Sequence, residues 1–210
     1  EIPRKNGKSS VCAGIALYLL LADGEAGAEV YSCAADREQA TIVFSIAQEM
    51  SEQHESLRQR IKHYRTSKTL LNDSQAATYK AISADAFTKH GLNAHGIIFD
   101  ELHAQPNRDL WDVMTTSTGS REQPLTVAIT TAGHDRNSVC WEMHQYAEQV
   151  RDGIIQDDTF LPLIYAAGPD DDWTKRATWI KANPSLGETV SFDYMKQKCD
   201  EAQNSAAKEN

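Results

Sequence analysis

The sequence lacks a hydrophobic run long enough to cross a bilayer. Its longest apolar run covers only residues 15–22, whereas a membrane-spanning helix needs about 20 apolar residues. Nothing in the sequence resembles a cleavable signal peptide. We therefore expect a cytoplasmic protein with no membrane partner.

The sequence also lacks the closely spaced ligands of a protein-built zinc site. Its four cysteines are far apart, with no C-x-x-C pair, and its seven histidines form no H-E-x-x-H motif. Zinc sites need such ligand pairs at close spacing. We expect Cys12, Cys33, Cys140 and Cys199 to be reduced and mostly buried thiols.

An excess of positive charge is missing as well. Lysine and arginine number 21 against 30 aspartate and glutamate residues, which gives a net charge of −9. An acidic chain is unsuited to broad, sequence-independent binding of phosphate backbones, although this does not exclude a local basic groove. Any contacts with DNA are expected to be few and local.

The remaining composition is that of a globular protein. Of 210 residues, 40% are hydrophobic and 24% are charged, and this length favours one domain with a small appendage. Helical spacing alternates with short β-rich runs, which indicates an α/β sheet with crossover helices. The pattern predicts helices over residues 9–21, 36–52, 108–116 and 138–152, and strands over residues 29–34, 69–72, 77–82, 96–99, 125–131 and 161–166.

The character of the sequence changes after residue 168. Residues 168–172 form an acidic turn whose charges are expected to keep a loop solvated rather than to bind a metal. An amphipathic piece follows over residues 173–182, then a turn over residues 183–187 and a polar helix from Phe192. We expect a core over residues 1–168 and a linker or lid segment over residues 169–210.

The strongest local motif lies directly before the first predicted helix. Residues 3–10 read PRKNGKSS, and G-K-S at a helix start supplies what a triphosphate needs. Gly7 permits close approach, Lys8 reaches the β- and γ-phosphates, and the Ser9 hydroxyl is a Mg²⁺ ligand. Ile2 stands where the general motif has glycine, so an ordinary cationic loop remains an equal alternative for this motif alone.

A second motif is an apolar strand that ends on two acids. Residues 96–101 read GIIFDE. In a nucleotide site Asp100 would hold the Mg²⁺ shell and Glu101 would polarise the attacking water. Solvated acids capping a strand end are the alternative, but the combination with G-K-S favours an NTPase that carries a catalytic glutamate.

A third apolar strand, residues 127–133, ends in hydroxyls and a glycine and reads VAITTAG. In sheets of this class such a strand places Thr130 and Thr131 near the γ-phosphate, where they would report its presence. For one of the two, a threonine that is present only for its β propensity is a credible alternative. The sequence does not decide between them.

Four segments together carry a family resemblance. Residues 3–9, 99–101, 129–132 and 179–187 resemble the large terminase subunit of tailed bacteriophages, the motor that pumps DNA into a preformed capsid, and the similarity covers essentially the whole chain. The resemblance implies a P-loop NTPase fold of the additional-strand, catalytic-glutamate type, an α/β fold with a mainly parallel sheet and helices on both faces. Ile2 is unremarkable in this family.

The resemblance also implies roles for individual residues. Glu101 would be the catalytic glutamate, Ser9 and Asp100 the metal ligands, and Arg4 a contact and sensor for phosphate. Arg121 would be a finger supplied to a neighbouring subunit, with a solvated loop arginine as the equal alternative. The implied nucleotide-binding residues are Arg4, Lys5, Asn6, Gly7, Lys8, Ser9, Ser10, Thr130 and Thr131, with Ala132 completing the coupling motif.

The implied cofactors are ATP and Mg²⁺, and the implied partners are double-stranded DNA, a portal protein, a small terminase subunit and further copies in a homo-oligomeric ring, a pentamer by resemblance. The implied location is the host cytoplasm, docked on a procapsid. The strand that delivers the phosphate loop is expected before Glu1, and an RNase H-like nuclease domain after Asn210, so no nuclease centre is expected in this chain. A helicase-like NTPase and a nucleotide-sensing docking module are the two alternative functions.

Overall fold

The structure, a computed structural model, describes residues 1–84, 91–133 and 135–204. The chain divides into two compact units, residues 9–143 and residues 1–8 together with the chain from residue 144 onward. The first eight residues thus cluster with the C-terminal part, whereas the sequence pattern predicts that they belong to the core. The domain boundary at residue 168 stays a prediction. His90, His134 and residues 205–210 of the predicted linker segment lie outside the described residues.

The larger unit is built on a mainly parallel sheet. Among the described residues its strand order is β2-β3-β4-β1-β5-β6, in which β4, β1, β5 and β6 are parallel neighbours and β3 and β2 extend the sheet antiparallel. Val30 in the central strand pairs with Tyr79 on one side and Gly96 on the other. The strands are β1 (Glu29–Ala34), β2 (Lys62–Tyr64), β3 (Thr69–Asn72), β4 (Ala77–Ser83), β5 (Ala94–Phe99) and β6 (Leu125–Ala128).

Local capping signals account for two helix starts. The Asp36 carboxylate accepts hydrogen bonds from the backbone N–H of Glu38 and Gln39, and the Ser191 hydroxyl accepts one from Tyr194, so orphan donors of two helices are satisfied. The helices are α1 (Lys8–Leu21), α2 (Arg37–Gln53), α3 (Glu55–Arg58), α4 (Asp109–Thr116), α5 (Val139–Arg151), α6 (Arg176–Ala182) and α7 (Phe192–Gln203), with a 3₁₀ turn over Leu102–Ala104. No helix in the described part of the chain has both the length and the apolar character needed to span a membrane.

Helices cover both faces of the sheet, as expected. On one face Val30 and Ile98 join a core with α1 and α2, and on the other Cys33 and Phe99 join a core with α4 and the start of α5. This split follows from the two-residue period of a strand. A Cβ on Gly96 would lie 2.6 Å from Leu19 Cδ1, so glycine lets α1 pack closely on β5. The four cysteines are buried, as predicted, and burial raises the pKa of the Cys33 thiol.

The strand predicted over residues 161–166 is wrong. Among the described residues, the backbone there has two hydrogen bonds, from Tyr165 N–H to the Glu1 carbonyl and from the Glu1 amino group to the Leu163 carbonyl. A single partner residue cannot form a ladder. Leu161 and Leu163 are 80% and 52% exposed, so two apolar side chains of this run face solvent.

The smaller unit holds the predicted acidic turn. Asp171 accepts hydrogen bonds from Gly168 N–H and Lys181, and Asp172 accepts two from Thr174. These bonds hold the pKa values of both carboxyls below their usual range. Both acids therefore shape the turn as hydrogen-bond acceptors.

Candidate functional site

The phosphate-loop candidate is a strained turn in the smaller unit. Lys5 has φ 66° and Gly7 has φ 77°. Glycine adopts the left-handed region readily, but for lysine it costs energy and is retained only where surrounding contacts hold it. The Lys8 ammonium is buried and donates to the carbonyls of Ile2 at 2.9 Å and Pro3 at 3.3 Å. The loop backbone therefore surrounds the Lys8 ammonium.

Helix α1 begins at Lys8 and continues with Ser9. The first N–H groups of a helix have no partner within the helix, and its dipole is positive at this end. Within α1, which is described in full, the first turn contains no acidic residue that would neutralise this field. Such an end is suited to phosphate. Arg4, Lys5 and Ser10 are exposed.

The two predicted acids follow β5 in the larger unit. Asp100 is 3% exposed, and its backbone N–H donates to the Cys33 carbonyl at 2.9 Å. Glu101 is partly exposed and has φ 47° and ψ 59°, again the left-handed region. A non-glycine residue held in this region is typical of functional sites, where the surrounding structure enforces the conformation.

A hydrogen-bond network joins Glu101 to the end of the neighbouring strand. His103 Nδ1 lies 3.2 Å from Glu101 Oε2 and 2.8 Å from Thr130 Oγ1. Thr131 N–H donates to Glu101 Oε2 at 3.4 Å. The Thr130 hydroxyl donates its one proton to the Thr131 carbonyl at 2.8 Å, so the short contact with His103 requires the proton on Nδ1.

This network distinguishes the two threonines and adds a residue that the sequence did not indicate. Thr130 is buried and contributes its hydroxyl, whereas Thr131 contributes its backbone N–H. No motif in the sequence marks His103, although it stands two residues after Glu101. The arrangement links the candidate catalytic carboxylate to the candidate coupling motif through one imidazole.

The Arg121 side chain is buried and does not face solvent. Its side chain is 7% exposed, and its guanidinium donates to the carbonyls of Asn93 and Gly27 at 2.8 to 3.0 Å and to the Glu25 carboxylate at 3.0 Å. These contacts tie the loops before β1 and β5 to the loop before β6. The role as a finger stays a prediction, and this geometry favours a structural role, because a finger must reach a neighbouring subunit.

Residues 1–149 match the protein family described as the ATPase domain of the terminase large subunit. The whole chain is 33% identical over 216 residues to the terminase large subunit of Enterobacteria phage HK97, of which it covers 41%. It is 24% identical over 213 residues to the terminase large subunit of Lactococcus phage p2, of which it covers 39%. The chain thus spans about two fifths of the length of these relatives.

Two solved structures of large terminases share the fold of this chain. The crystal structure of the HK97 bacteriophage large terminase matches with a TM-score of 0.88 at 30% identity, covering 100% of this chain and 43% of that chain. The ATPase domain of the Thermus phage P74-26 large terminase matches with a TM-score of 0.53 at 20% identity, covering 64% and 59% of the two chains. The second likeness concerns the fold alone. The predicted P-loop NTPase-type α/β fold is confirmed.

Proposed function

We propose that this chain, which belongs to the family of terminase large-subunit ATPase domains, hydrolyses ATP to drive double-stranded DNA into a viral procapsid. The observation that carries the proposal is the family match over residues 1–149, which includes the loop, both acids and the two threonines. The chain covers 41% of the HK97 relative, so the activity and the partners of a whole terminase are part of the proposal.

The proposed nucleotide contacts follow from the chemistry of the loop. Lys8 would bind the β- and γ-phosphate oxygens, and the N–H groups at the start of α1 would bind the phosphates from the backbone side. Lys8 already donates to two carbonyls, and its ammonium has three N–H donors. Arg4, exposed beside the loop, would contact phosphate and respond to the nucleotide state.

Ser9 and Asp100 are proposed to hold Mg²⁺. Hydroxyl and carboxylate oxygens are the donors that this ion prefers, and Asp100 directly follows β5. When bound, the ion supplies neutralisation of charge on the phosphate oxygens.

Glu101 is proposed to orient and deprotonate the attacking water. Its carboxylate accepts from Thr131 N–H and lies beside His103, and these contacts fix the carboxylate at the end of β5. A base held in one orientation needs no rearrangement at the moment of reaction. Thr130 and Thr131 would then pass a change at Glu101 to the loop that follows β6.

His103 gives a prediction that separates positioning from folding. Replacement by alanine removes the imidazole between Glu101 and Thr130 and should lower the kcat for ATP about fivefold, since loss of one hydrogen bond costs about 1 kcal/mol. The KM for ATP should not change. Steady-state kinetics measures both constants.

The control is His103→Asn, whose amide N–H lies near the position of Nδ1. This variant should keep most of the parental kcat. Equal losses in the two variants, accompanied by equally lowered melting temperatures, would show that His103 serves only the fold.

The proposed partners follow the family. They are double-stranded DNA, a portal protein, a small terminase subunit and further copies of the chain in a ring, a pentamer by resemblance, and the proposed location is the host cytoplasm at the procapsid. The acidic net charge of −9 supports local rather than broad contacts with DNA.

The experiment that tests the function measures ATP hydrolysis by the chain with and without blunt double-stranded DNA, together with displacement of a third strand from a triplex. We expect Mg²⁺-dependent hydrolysis that duplex DNA stimulates, and triplex displacement without separation of the duplex. Separation of the duplex strands would support the helicase-like alternative. Nucleotide binding without hydrolysis, even after ring assembly, would support a nucleotide-sensing module.

A further inference from the structure

The turn over residues 183–187 contacts the phosphate loop within the smaller unit. Asn6 Nδ2 donates to Asn183 Oδ1 at 3.0 Å, and the Ser185 backbone N–H donates to Asn6 Oδ1 at 3.0 Å. Asn6 and Asn183 are each 7% exposed. Both polar ends of the Asn6 amide are therefore engaged, one by the buried Asn183 and one by the half-buried Ser185, which fixes the orientation of that amide.

The same Asn6 amide also holds the loop itself. Asn6 Nδ2 lies within hydrogen-bond distance of the Pro3 carbonyl at 3.3 Å and the Arg4 carbonyl at 3.2 Å. Lys8 donates to the Pro3 carbonyl on the other side of the turn. The Asn6 side chain thus connects the backbone that surrounds Lys8 to the distant turn.

A second set of contacts acts on the strained residue next to Asn6. The Thr189 hydroxyl donates to the Lys5 carbonyl at 2.6 Å, and Lys5 Nζ lies 4.8 Å from the centre of the Tyr194 ring. Lys5 has φ 66°, a conformation that persists in a non-glycine residue only when neighbouring contacts enforce it. We call Asn6, Asn183, Ser185 and Thr189 the loop brace.

We propose that Asn183 and Ser185 are positioning residues for nucleotide binding, which hold the phosphate loop in its binding shape through Asn6. The inference rests on the proposed function and gives a role to the 183–187 turn, which the proposed chemistry leaves unused. The N–H groups of Gly7 and Lys8 bind phosphate well only if the turn that orients them is already formed. Because coupling between binding and conformation is reciprocal, nucleotide at the loop would stabilise the brace and the start of α7.

The chain contains a matched control for Asn183. Asn183 and Asn204 are the C-caps of α6 and α7, and each Nδ2 donates to the carbonyl four residues earlier, to Trp179 at 3.1 Å and to Asp200 at 2.7 Å. Both alanine variants lose the same capping bond. Of the two variants, Asn183→Ala alone also loses the contact with Asn6.

The test measures the affinity of each variant for a non-hydrolysable ATP analogue by calorimetry, and amide hydrogen exchange of residues 4–9 without nucleotide. Asn183→Ala should weaken affinity about five- to tenfold and speed exchange in the loop. Asn204→Ala should change neither. The double variant Asn6→Ala, Asn183→Ala should bind no more weakly than Asn6→Ala alone, because the two side chains act through one contact.

Three outcomes would overturn the inference. These are parental affinity in Asn183→Ala, losses in the double variant equal to the sum of the single losses, or equal effects of Asn183→Ala and Asn204→Ala. A parent chain that binds no ATP analogue would contradict the proposed function itself. The exchange comparison, which needs no nucleotide, would then still show whether Asn183 orders the loop.

Discussion

Replacing Glu101 by glutamine should lower ATP turnover about 10²- to 10⁴-fold, the contribution typical of a positioned general base. The amide keeps the shape of the side chain and an oxygen that accepts from Thr131 N–H, but it cannot take a proton from water. Affinity for a non-hydrolysable ATP analogue should stay within about threefold of the parent, because the residue acts on water rather than on phosphate. Single-turnover hydrolysis and calorimetry measure the two quantities.

The control for this change is Glu122→Gln, which removes the same charge from an exposed position. It should hydrolyse ATP at the parental rate. Parental turnover in Glu101→Gln would refute the proposed role of Glu101. It would not contradict the proposed role of the phosphate loop.

Replacing Lys8 by alanine should weaken binding of ATP at least about 100-fold. The change removes a charge-assisted contact to two phosphates, and such bonds contribute about 1.5 to 3 kcal/mol each. Alanine also removes the bonds to the Ile2 and Pro3 carbonyls, so the variant combines loss of charge with loss of loop structure. Calorimetric titration with ATP and Mg²⁺ measures the affinity.

A second variant separates these two effects. Lys8→Gln keeps an N–H donor for the loop carbonyls but carries no charge, and we expect it to bind ATP as weakly as Lys8→Ala. The control Lys175→Gln, at an exposed site, should bind like the parent. Near-parental affinity in Lys8→Gln would mean that the residue serves the loop rather than the phosphate.

Features encoded by short stretches of sequence could be predicted. The apolar character of residues 96–99 indicated β5, which is buried on both faces, and Asp36 marked the start of α2. The G-K-S motif likewise placed the start of α1 within one residue. Each of these features depends on residues that are neighbours along the chain. Such features can be predicted from sequence patterns.

Features that depend on distant partners could not be predicted. The sequence predicts that Arg121 is a finger or a solvated residue, but its partners Glu25, Gly27 and Asn93 come from two loops far away in sequence. The contact between Asn6 and Asn183 joins residues 177 positions apart. The false strand over residues 161–166 has the same origin, because composition does not reveal whether a partner strand is present.

The left-handed backbone at Glu101 creates a conflict between thermal stability and activity. Glycine at this position would relieve the unfavourable φ of 47° and, as a local change, would favour the folded state. It would also remove the carboxylate that we propose for hydrolysis. Directed evolution that selects for heat resistance alone would therefore favour stable molecules that do not hydrolyse ATP. The same conflict is expected wherever an active residue is held in an unfavourable backbone conformation.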